Sequence, residues 1–137
     1  MADDFRLKIL TPMGEALSTR AQSLRVTAWD GQVGVLAHHA PIIEKLAIGS
    51  AMVTESDGRR RWFATVGGIM RVKDNQVVLL VGAAEEADQI DVERAQRALE
   101  RARHRVTARE AEVDISRAEL ALARAINRLR VAQHAGR

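Results

Sequence analysis

The sequence contains two lines of arginines whose spacing suggests a binding site. The first line, called here the first arginine seam, consists of Asp91, Arg94, Ala98 and Arg101. The second arginine seam also has steps of three and four residues and consists of Arg117, Ala121, Arg124 and Arg128. Residues three and four positions apart share one face of a helix, and the planar guanidinium group binds phosphate or carboxylate through paired hydrogen bonds. The seams therefore predict a site for a polyphosphate or for an acidic protein surface.

Arg101, Arg124 and Arg128 have no acidic residue three or four positions away. If two helices turned both seams toward each other, each guanidinium pair at about 4 Å would repel by about 1 kcal/mol in water and about 4 kcal/mol at an effective dielectric constant near 20. A polyphosphate between the seams would reverse the sign of this interaction. Two other interpretations stay open: a solvated polar face, which composition alone favours, and a nucleic-acid-binding helix, which the acidic residues and the lack of interleaved aromatic residues disfavour.

The remaining residues do not predict a catalytic site. The adjacent pair His38-His39 has no cluster of carboxylates beside it, and adjacent side chains seldom converge on one metal, so we expect a loop or core role for both. The chain has no cysteine, which excludes a disulfide scaffold, a zinc ribbon and a thiol nucleophile. No motif frames a serine nucleophile. We therefore predict a protein without an active site of its own.

Residues 1–87 are predicted to form short strands. Leu24, Val26 and Ala28 alternate with polar residues, which is the pattern of a half-buried strand, and 77–81 is a continuous apolar run typical of a central strand. Turn sequences such as Asp57-Gly58 separate the runs. About eight to ten short strands in this length indicate a β-sandwich or flattened barrel.

Residues 88–137 are predicted to form two helices. This segment has no proline and no glycine before Gly136, and it is rich in alanine, arginine, glutamate and leucine. Asp88 is expected to cap the first helix. The periodicity falters across 107–112, and Asp114 is expected to cap the second helix. Alanines permit close packing as an antiparallel hairpin, and a break without glycine or proline can straighten, so we expect two conformations.

We expect a protein that is made and kept in the cytoplasm and that meets a membrane only through a partner. The net charge is +3, and residues 88–137 hold eleven arginines against eight acidic residues. No apolar run reaches the roughly 18 residues that cross a bilayer. The acidic N-terminus lacks the basic and apolar regions of a signal peptide.

Four stretches are specific in combination: residues 30–41 (DGQVGVLAHHAP), 66–72 (VGGIMRV), 90–95 (IDVERA) and 117–129 (RAELALARAINRL). Together they resemble the epsilon subunit family of bacterial F-type ATP synthases, over essentially the whole chain. Gln32 and Ala37 depart from the glutamate and proline that are usual in the family's loop. The resemblance implies an α+β fold, with a ten-stranded β-sandwich (1–87) followed by an antiparallel two-helix hairpin (88–137).

The resemblance also implies a function in proton-driven ATP synthesis. The sandwich would lie on the central stalk at the cytoplasmic face of the membrane, bound to the gamma subunit and the ring of c subunits. The hairpin would extend toward the alpha and beta catalytic subunits and inhibit ATP hydrolysis. No nucleic acid is implied. The alternative is a free-standing adaptor whose Arg-rich tail binds an acidic protein or nucleic acid.

Two sets of site residues follow from the resemblance. ATP is the implied regulatory ligand, bound and not hydrolysed, while the role of Mg²⁺ is left open. The implied ATP-binding residues are Glu85, Ile90, Asp91, Arg94, Ala95, Arg101, Arg117, Arg124 and Arg128. Among them, Ile90 and Ala95 would contact adenine, Glu85 and Asp91 its polar edge or the ribose, and the arginines the phosphates. The implied rotor-ring contact loop contains Asp30, Gln32, His38 and His39.

Overall fold

A computed structural model describes residues 3–108 and 114–136 of the chain. The protein divides into two compact units, with the boundary between Glu86 and Ala87. The first unit contains only strands, and the second contains only helical elements.

The first unit is a closed, barrel-like sheet. Its strands are β1 (Phe5–Thr11), β2 (Gly14–Ala28), β3 (Gly31–Leu36), β4 (Ile42–Glu55), β5 (Arg60–Lys73) and β6 (Gln76–Glu86). The strand order is β1-β6-β5-β4-β2-β3, and β1 also pairs with β2. This extra pairing closes a ring of strands, with β3 added at its side. All neighbours pair antiparallel except β1 and β6, which are parallel.

The prediction of ten strands was wrong, because six strands make up the described part of the first unit. The reason is that β2, β4 and β5 are 15, 14 and 14 residues long. The pairing of β2 with β4 shifts register between Ala21 and Ser23 and again between Val26 and Ala28. Such bulges bend a strand without ending it. One long strand therefore passes through two regions of the barrel where two short strands were expected.

Alternate side chains of these strands fill the interior of the barrel. The largest fully buried residues include Phe5, Phe63, Leu7, Ile9 and Leu79. At Gly68, where φ is 155°, an added Cβ would collide with the carbonyl oxygen of Leu80, so only glycine permits this close approach of β5 and β6. The sheet is therefore closed around an aliphatic core in which the aromatic contribution is small.

A charged cluster holds the last residue of β6 in place. Arg61 donates two hydrogen bonds to Glu86, at 3.0 and 2.8 Å, and one to Glu55 at 3.5 Å. Its guanidinium group also lies 5.6 Å from the centre of the Phe63 ring. The bonds to Glu86 are the main reason why the pKa of Arg61 is raised, against the opposing effect of burial. The chain therefore leaves the first unit from a fixed point.

The second unit is a pair of antiparallel helices. A short 3₁₀ turn, Ala87–Gln89, precedes α1 (Val92–Ala108) and α2 (Ile115–Ala132). The main-chain N–H of Gly136 donates to Asp88 Oδ1 at 2.7 Å, so the end of α2 lies beside the start of α1. The buried residues of the two helices are Ala95, Leu99, Ala102, Ala118, Ala125 and Val131. Most of them are alanine, as the predicted close packing requires.

Aspartates cap both helices. Asp114 accepts a hydrogen bond from the main-chain N–H of Arg117, which confirms its predicted role. The prediction that Asp88 caps α1 was wrong, because Asp91 accepts from the main-chain N–H of Arg94 at 3.0 Å. Asp88 instead accepts the hydrogen bond from the main-chain N–H of Gly136, which follows α2 in the sequence. Four of the six residues of the predicted break at 107–112 lie outside the described residues. The other two, Thr107 and Ala108, belong to α1.

A second charged cluster fixes the start of β1. Asp4 accepts hydrogen bonds from Arg20 and from the hydroxyl of Ser56, both at 2.7 Å. These two bonds, the Arg20 bond first, lower the pKa of Asp4 from 3.8 to about 2. A carboxyl group whose pKa is lower in the folded state stabilises the fold above its unfolded pKa. That contribution is lost as the pH falls through the folded value.

This sign gives a testable pH dependence. We expect Asp4→Asn to lower the free energy of unfolding at pH 7, and the gap to wild type to shrink between about pH 4 and pH 2. Denaturant unfolding at pH 7, 5, 3 and 2 measures it. Asp30→Asn, at an exposed turn position, is the matched control and should cost less at neutral pH. A gap for Asp4→Asn that is equally large at pH 2 and pH 7 would show that the carboxylate charge is not what stabilises this corner.

Candidate functional site

The two arginine seams lie on the same face of the helical unit. The buried stripe of α1 runs through Ala95, Leu99 and Ala102, and the arginines of the first seam lie about 100° from it around the helix axis. On α2 the second seam lies about 100° from the stripe of Ala118 and Ala125, in the same rotational sense. Because the helices are antiparallel, equal offsets in the same sense bring both seams to one side of the pair.

The repulsion calculated from the sequence assumed that the two seams turn toward each other. In the structure they do not. Alanines occupy the space between the helices, and Arg94, Arg101, Arg117 and Arg124 are exposed, while Arg128 is half-buried. Their guanidinium groups keep most of their water. The helical pair therefore forms without the large repulsion expected for inward seams, and it presents a basic face outward.

The aspartates at the start of each seam do not neutralise this face. One oxygen of Asp91 and one of Asp114 accept from main-chain N–H groups. Among the residues that the structure describes, the side chains of four seam arginines form no ion pair within 4.0 Å. These four are Arg94, Arg101, Arg117 and Arg124. The face therefore has a net positive charge that an anion can compensate.

The other predicted nucleotide residues are placed differently. Ile90 and Ala95 are 1% and 0% exposed, so neither offers an open apolar surface in this conformation. Ala98 and Ala121 lie between the arginines of the two seams, and Ala121 is exposed. Glu85 lies on β6, in the first unit, and is half-buried. The structure thus brings together the arginines and Asp91, and leaves the apolar pair beneath the surface.

The four predicted rotor-contact residues do not form one cluster. Asp30 and Gln32 lie at the start of β3, while His38 and His39 follow its end. At about 3.3 Å per residue, roughly 20 Å separates the two pairs. Asp30, Gln32 and His38 are exposed, and His39 is half-buried. The side chain of Gln32 donates to Thr27 Oγ1 at 3.0 Å, which ties it to β2.

Hydrogen bonds hold the connection between β3 and β4. The main-chain N–H of His38 donates to Asn75 Oδ1 at 2.8 Å, and its ring Nε2 lies 3.5 Å from Asp3 Oδ2. The Nδ1–H of His39 donates to the carbonyl of Ala40 at 2.7 Å, which places its proton on Nδ1. This loop keeps a defined shape although three of its five residues, His38, Ala40 and Pro41, are exposed.

The outer face of the barrel carries an apolar row that sequence reasoning missed. Leu10, Leu80 and Ile69 are direct cross-strand neighbours on β1, β6 and β5. Leu80 is 51% exposed and Ile69 is 47% exposed. The run 77–81 was predicted to be a central strand, and β6 does lie between β1 and β5, but its residues alternate between the core and this surface. An apolar residue at every position from 77 to 81 was the signal for a second, exposed apolar face.

Basic residues surround this apolar row. Lys45 is the cross-strand neighbour of Ile69, and Arg71 and Lys8 lie in the adjacent row. Lys8 reaches Glu15 at 4.0 Å. We call Leu10, Leu80, Ile69 and these three basic residues the outer patch. Its chemistry fits a protein surface that is apolar with acidic residues around it.

Two other features are absent from residues 3–108 and 114–136. No group of three or more histidine and acidic side chains there could hold a metal ion. No helix in these ranges is long and apolar enough to cross a membrane.

Family models match the two parts of the chain in succession. The beta-sandwich domain of the ATP synthase delta/epsilon chain matches residues 4–87. The long alpha-helix domain of the same chain matches residues 88–133. The two matches therefore account for nearly every residue.

Individual relatives agree with these matches. The ATP synthase epsilon chain of Desulforamulus reducens is 41% identical over 133 residues, which is 97% of this chain and 100% of the relative. That of Carboxydothermus hydrogenoformans is 44% identical over 109 residues, covering 80% of this chain and 81% of the relative. That of Macrococcus caseolyticus is 40% identical over 129 residues, or 93% and 95% of the two chains.

Solved structures show the same likeness. A chain in the cryo-EM structure of the Euglena gracilis mitochondrial ATP synthase, with OSCP, F1 and the c-ring, superposes with a TM-score of 0.83 at 26% identity. The match covers 96% of this chain and 82% of that one. A chain from the central stalk and c-ring of the Tetrahymena thermophila enzyme has a TM-score of 0.55 at 14% identity over 96% of both chains, which is a likeness of fold alone.

Proposed function

The chain belongs to the ATP synthase delta/epsilon family, and we propose that it works as the epsilon subunit on the central stalk of a bacterial F-type enzyme. It couples proton transport to ATP synthesis and restrains ATP hydrolysis, without an active site of its own. It reaches the cytoplasmic face of the membrane only through the complex. The observation that carries this proposal is the 41% identity to an epsilon chain along that relative's whole length. A free-standing adaptor would not need both domains of this family in order.

We assign the contact with the gamma subunit to the outer patch. Leu80 and Ile69 are large, exposed and adjacent, and an exposed apolar cluster of this kind is typical of a protein interface. The surrounding Lys8, Lys45 and Arg71 favour a partner surface with acidic residues at its border. The c-ring contact is assigned to the loop of His38 and His39.

The assignment of the gamma-subunit contact to the outer patch can be tested by placing one charged residue in the patch. Leu80→Glu places a carboxylate in the centre of the outer patch, and we expect it to weaken binding to the gamma subunit by about 2 kcal/mol or more. Leu120→Glu is the matched control, since Leu120 is 48% exposed and lies on α2. Equilibrium binding to purified gamma subunit measures both. Equal affinities of the two variants would move the gamma contact away from this patch.

We further propose that ATP binds the basic face as a regulatory ligand. Arginines from both helices lie on one side, and four of them have no ion pair among the described residues. A triphosphate can form charge-assisted bonds to both helices at once. Adenine can contact Ile90 and Ala95 only if these buried residues become accessible. Otherwise the adenine ring would rest on Ala98 and Ala121.

The ATP proposal predicts a difference between two arginine variants. Arg94→Ala should weaken ATP binding by about 1.5 kcal/mol, roughly tenfold, as expected for one lost hydrogen bond to a charged group at an exposed position. Arg130→Ala, which removes an arginine of α2 outside the seam, should leave the affinity within about twofold. Calorimetric titration with and without Mg²⁺ gives the affinities, and phosphate release should be absent. No binding at millimolar ATP, or equal effects of both variants, would reject the site.

Regulation is proposed to work through two conformations of the helices. Only the antiparallel pair presents both seams on one side, so ATP bound to both seams favours that state. An extended state would separate the seams and carry the arginines of α2 toward the alpha and beta catalytic subunits. The shift is limited by the difference in affinity, about 1.4 kcal/mol for each tenfold preference.

Distances between two labels test the switch. The chain has no cysteine, so single cysteines at Val92 and Arg130 can be labelled selectively. In one continuous helix these positions would be about 57 Å apart at 1.5 Å per residue, whereas the antiparallel pair holds them at neighbouring ends. We expect ATP to increase the short-distance population. A distance distribution that does not change at saturating ATP would mean that the nucleotide does not control the helices.

A further inference from the structure

The side chain of Asn75 joins three separate segments of the first unit. Its Oδ1 accepts from the main-chain N–H of His38 at 2.8 Å, and its Nδ2 donates to the main-chain carbonyl of Asp4 at 3.0 Å. The main-chain carbonyl of Asn75 accepts from the N–H of Arg6 at 3.3 Å. The turn between β5 and β6, the start of β1 and the loop after β3 are thus connected through one residue.

The backbone directs this side chain. Asp74 and Asn75 form the turn between β5 and β6, and both have positive φ, at 52° and 58°. Two central residues with positive φ are the pattern of a type I′ hairpin turn, in which asparagine is well tolerated. The turn is therefore rigid, and its amide group points to the loop from a fixed base.

The loop that Asn75 reaches has few other bonds to the rest of the unit: the side chain of His39 bonds within the loop, and the ring of His38 lies 3.5 Å from Asp3. His38 has a φ of 64°, which is unfavourable for a residue with a Cβ, and its side chain is 68% exposed. Packing therefore contributes little, and the bond to Asn75 opposes relaxation of the backbone. A binding loop that is already ordered loses less conformational entropy when its partner binds.

We propose that Asn75 is a positioning residue for the rotor-ring contact, which it supports by holding His38 in the binding conformation from the opposite hairpin. This inference rests on the proposed assignment of the His38 and His39 loop to the c-ring. It adds a residue that lies about forty positions away in the sequence and that the resemblance does not assign.

Two substitutions separate the two arms of the amide. Asn75→Gly keeps a residue that accepts positive φ but removes both side-chain bonds. Asn75→Asp keeps an oxygen acceptor for the N–H of His38 and loses the donor to Asp4. Both variants retain the main-chain bond to Arg6 and lose the Asp4 arm, so the difference between them isolates the loop arm. The new carboxylate also faces the carbonyl of Asp4, so Asn75→Asp should be no more stable than Asn75→Gly.

The test measures binding of the full chain to a purified complex of gamma subunit and c-ring. We expect Asn75→Gly to weaken binding about five- to tenfold, with Asn75→Asp within about twofold of wild type. Binding to isolated gamma subunit should stay within about twofold for both, since the outer patch is unchanged. Amide hydrogen exchange at His38 should accelerate in Asn75→Gly and not in Asn75→Asp. Equal rotor affinities of the two variants, or an unchanged affinity of Asn75→Gly, would overturn the inference.

One more variant separates this failure from a failure of the rotor assignment. His38→Asn combined with His39→Ala alters the loop's surface while keeping a residue that tolerates positive φ at position 38. If this double variant leaves rotor binding unchanged, the loop is not the rotor contact and the inference falls with that assignment. If it weakens binding while Asn75→Gly does not, the assignment stands and Asn75 has no positioning role.

Discussion

The small size of the side chains between α1 and α2 is the constraint on which the behaviour of the helical unit depends. Ala95, Ala102, Ala118 and Ala125 are fully buried but contribute one methyl group each. Burial of a CH₂-sized group stabilises by about 0.8 kcal/mol, against about 1.5–3 kcal/mol for a leucine side chain. Leu99 and Val131 add the larger contributions. A ligand present at a hundred times its dissociation constant contributes about 2.7 kcal/mol, which is comparable to a few such contacts. A ligand that bound the antiparallel pair would therefore add as much stability as several of these contacts.

The barrel is built on the opposite principle. Its sheet closes because β1 pairs with both β2 and β6, so the strand nearest the N-terminus is fixed by the last strand of the unit. Asp4 binds Arg20 and Ser56 next to the start of β1, and Arg61 binds Glu86 where β6 ends. A small ligand could not substitute for these long-range contacts. A closed barrel with an exposed apolar patch and a helical pair with small buried side chains and a charged face thus follow from two different kinds of packing in one chain.

The sequence predicted local features better than it predicted how elements combine. The alternation of Leu24, Val26 and Ala28 and the cap at Asp114 were confirmed, because each depends on neighbouring residues. The strand number was wrong because bulges in β2 depend on its partners. Asp88 and Asp91 are both aspartates that could cap α1. Asp91 does so, while Asp88 bonds to Gly136, which lies 48 positions away in the sequence and which local patterns could not indicate. Spacing placed each arginine seam on one helix face, but the angle between that face and the neighbouring helix is a tertiary property.

That angle also sets the strength of any nucleotide site on the basic face. An exposed arginine interacts with a phosphate charge at about 4 Å with about 1 kcal/mol, where inward seams at an effective dielectric constant near 20 would have gained about 4 kcal/mol. Ordering each long side chain costs about 0.5–1.5 kcal/mol, which offsets much of the smaller gain. Several arginines on two helices can still sum to a useful affinity, since a triphosphate has enough oxygens to bond to more than one of them. Outward seams therefore favour weak, salt-sensitive binding that follows the ligand concentration, and they avoid a permanent repulsion in the ligand-free pair.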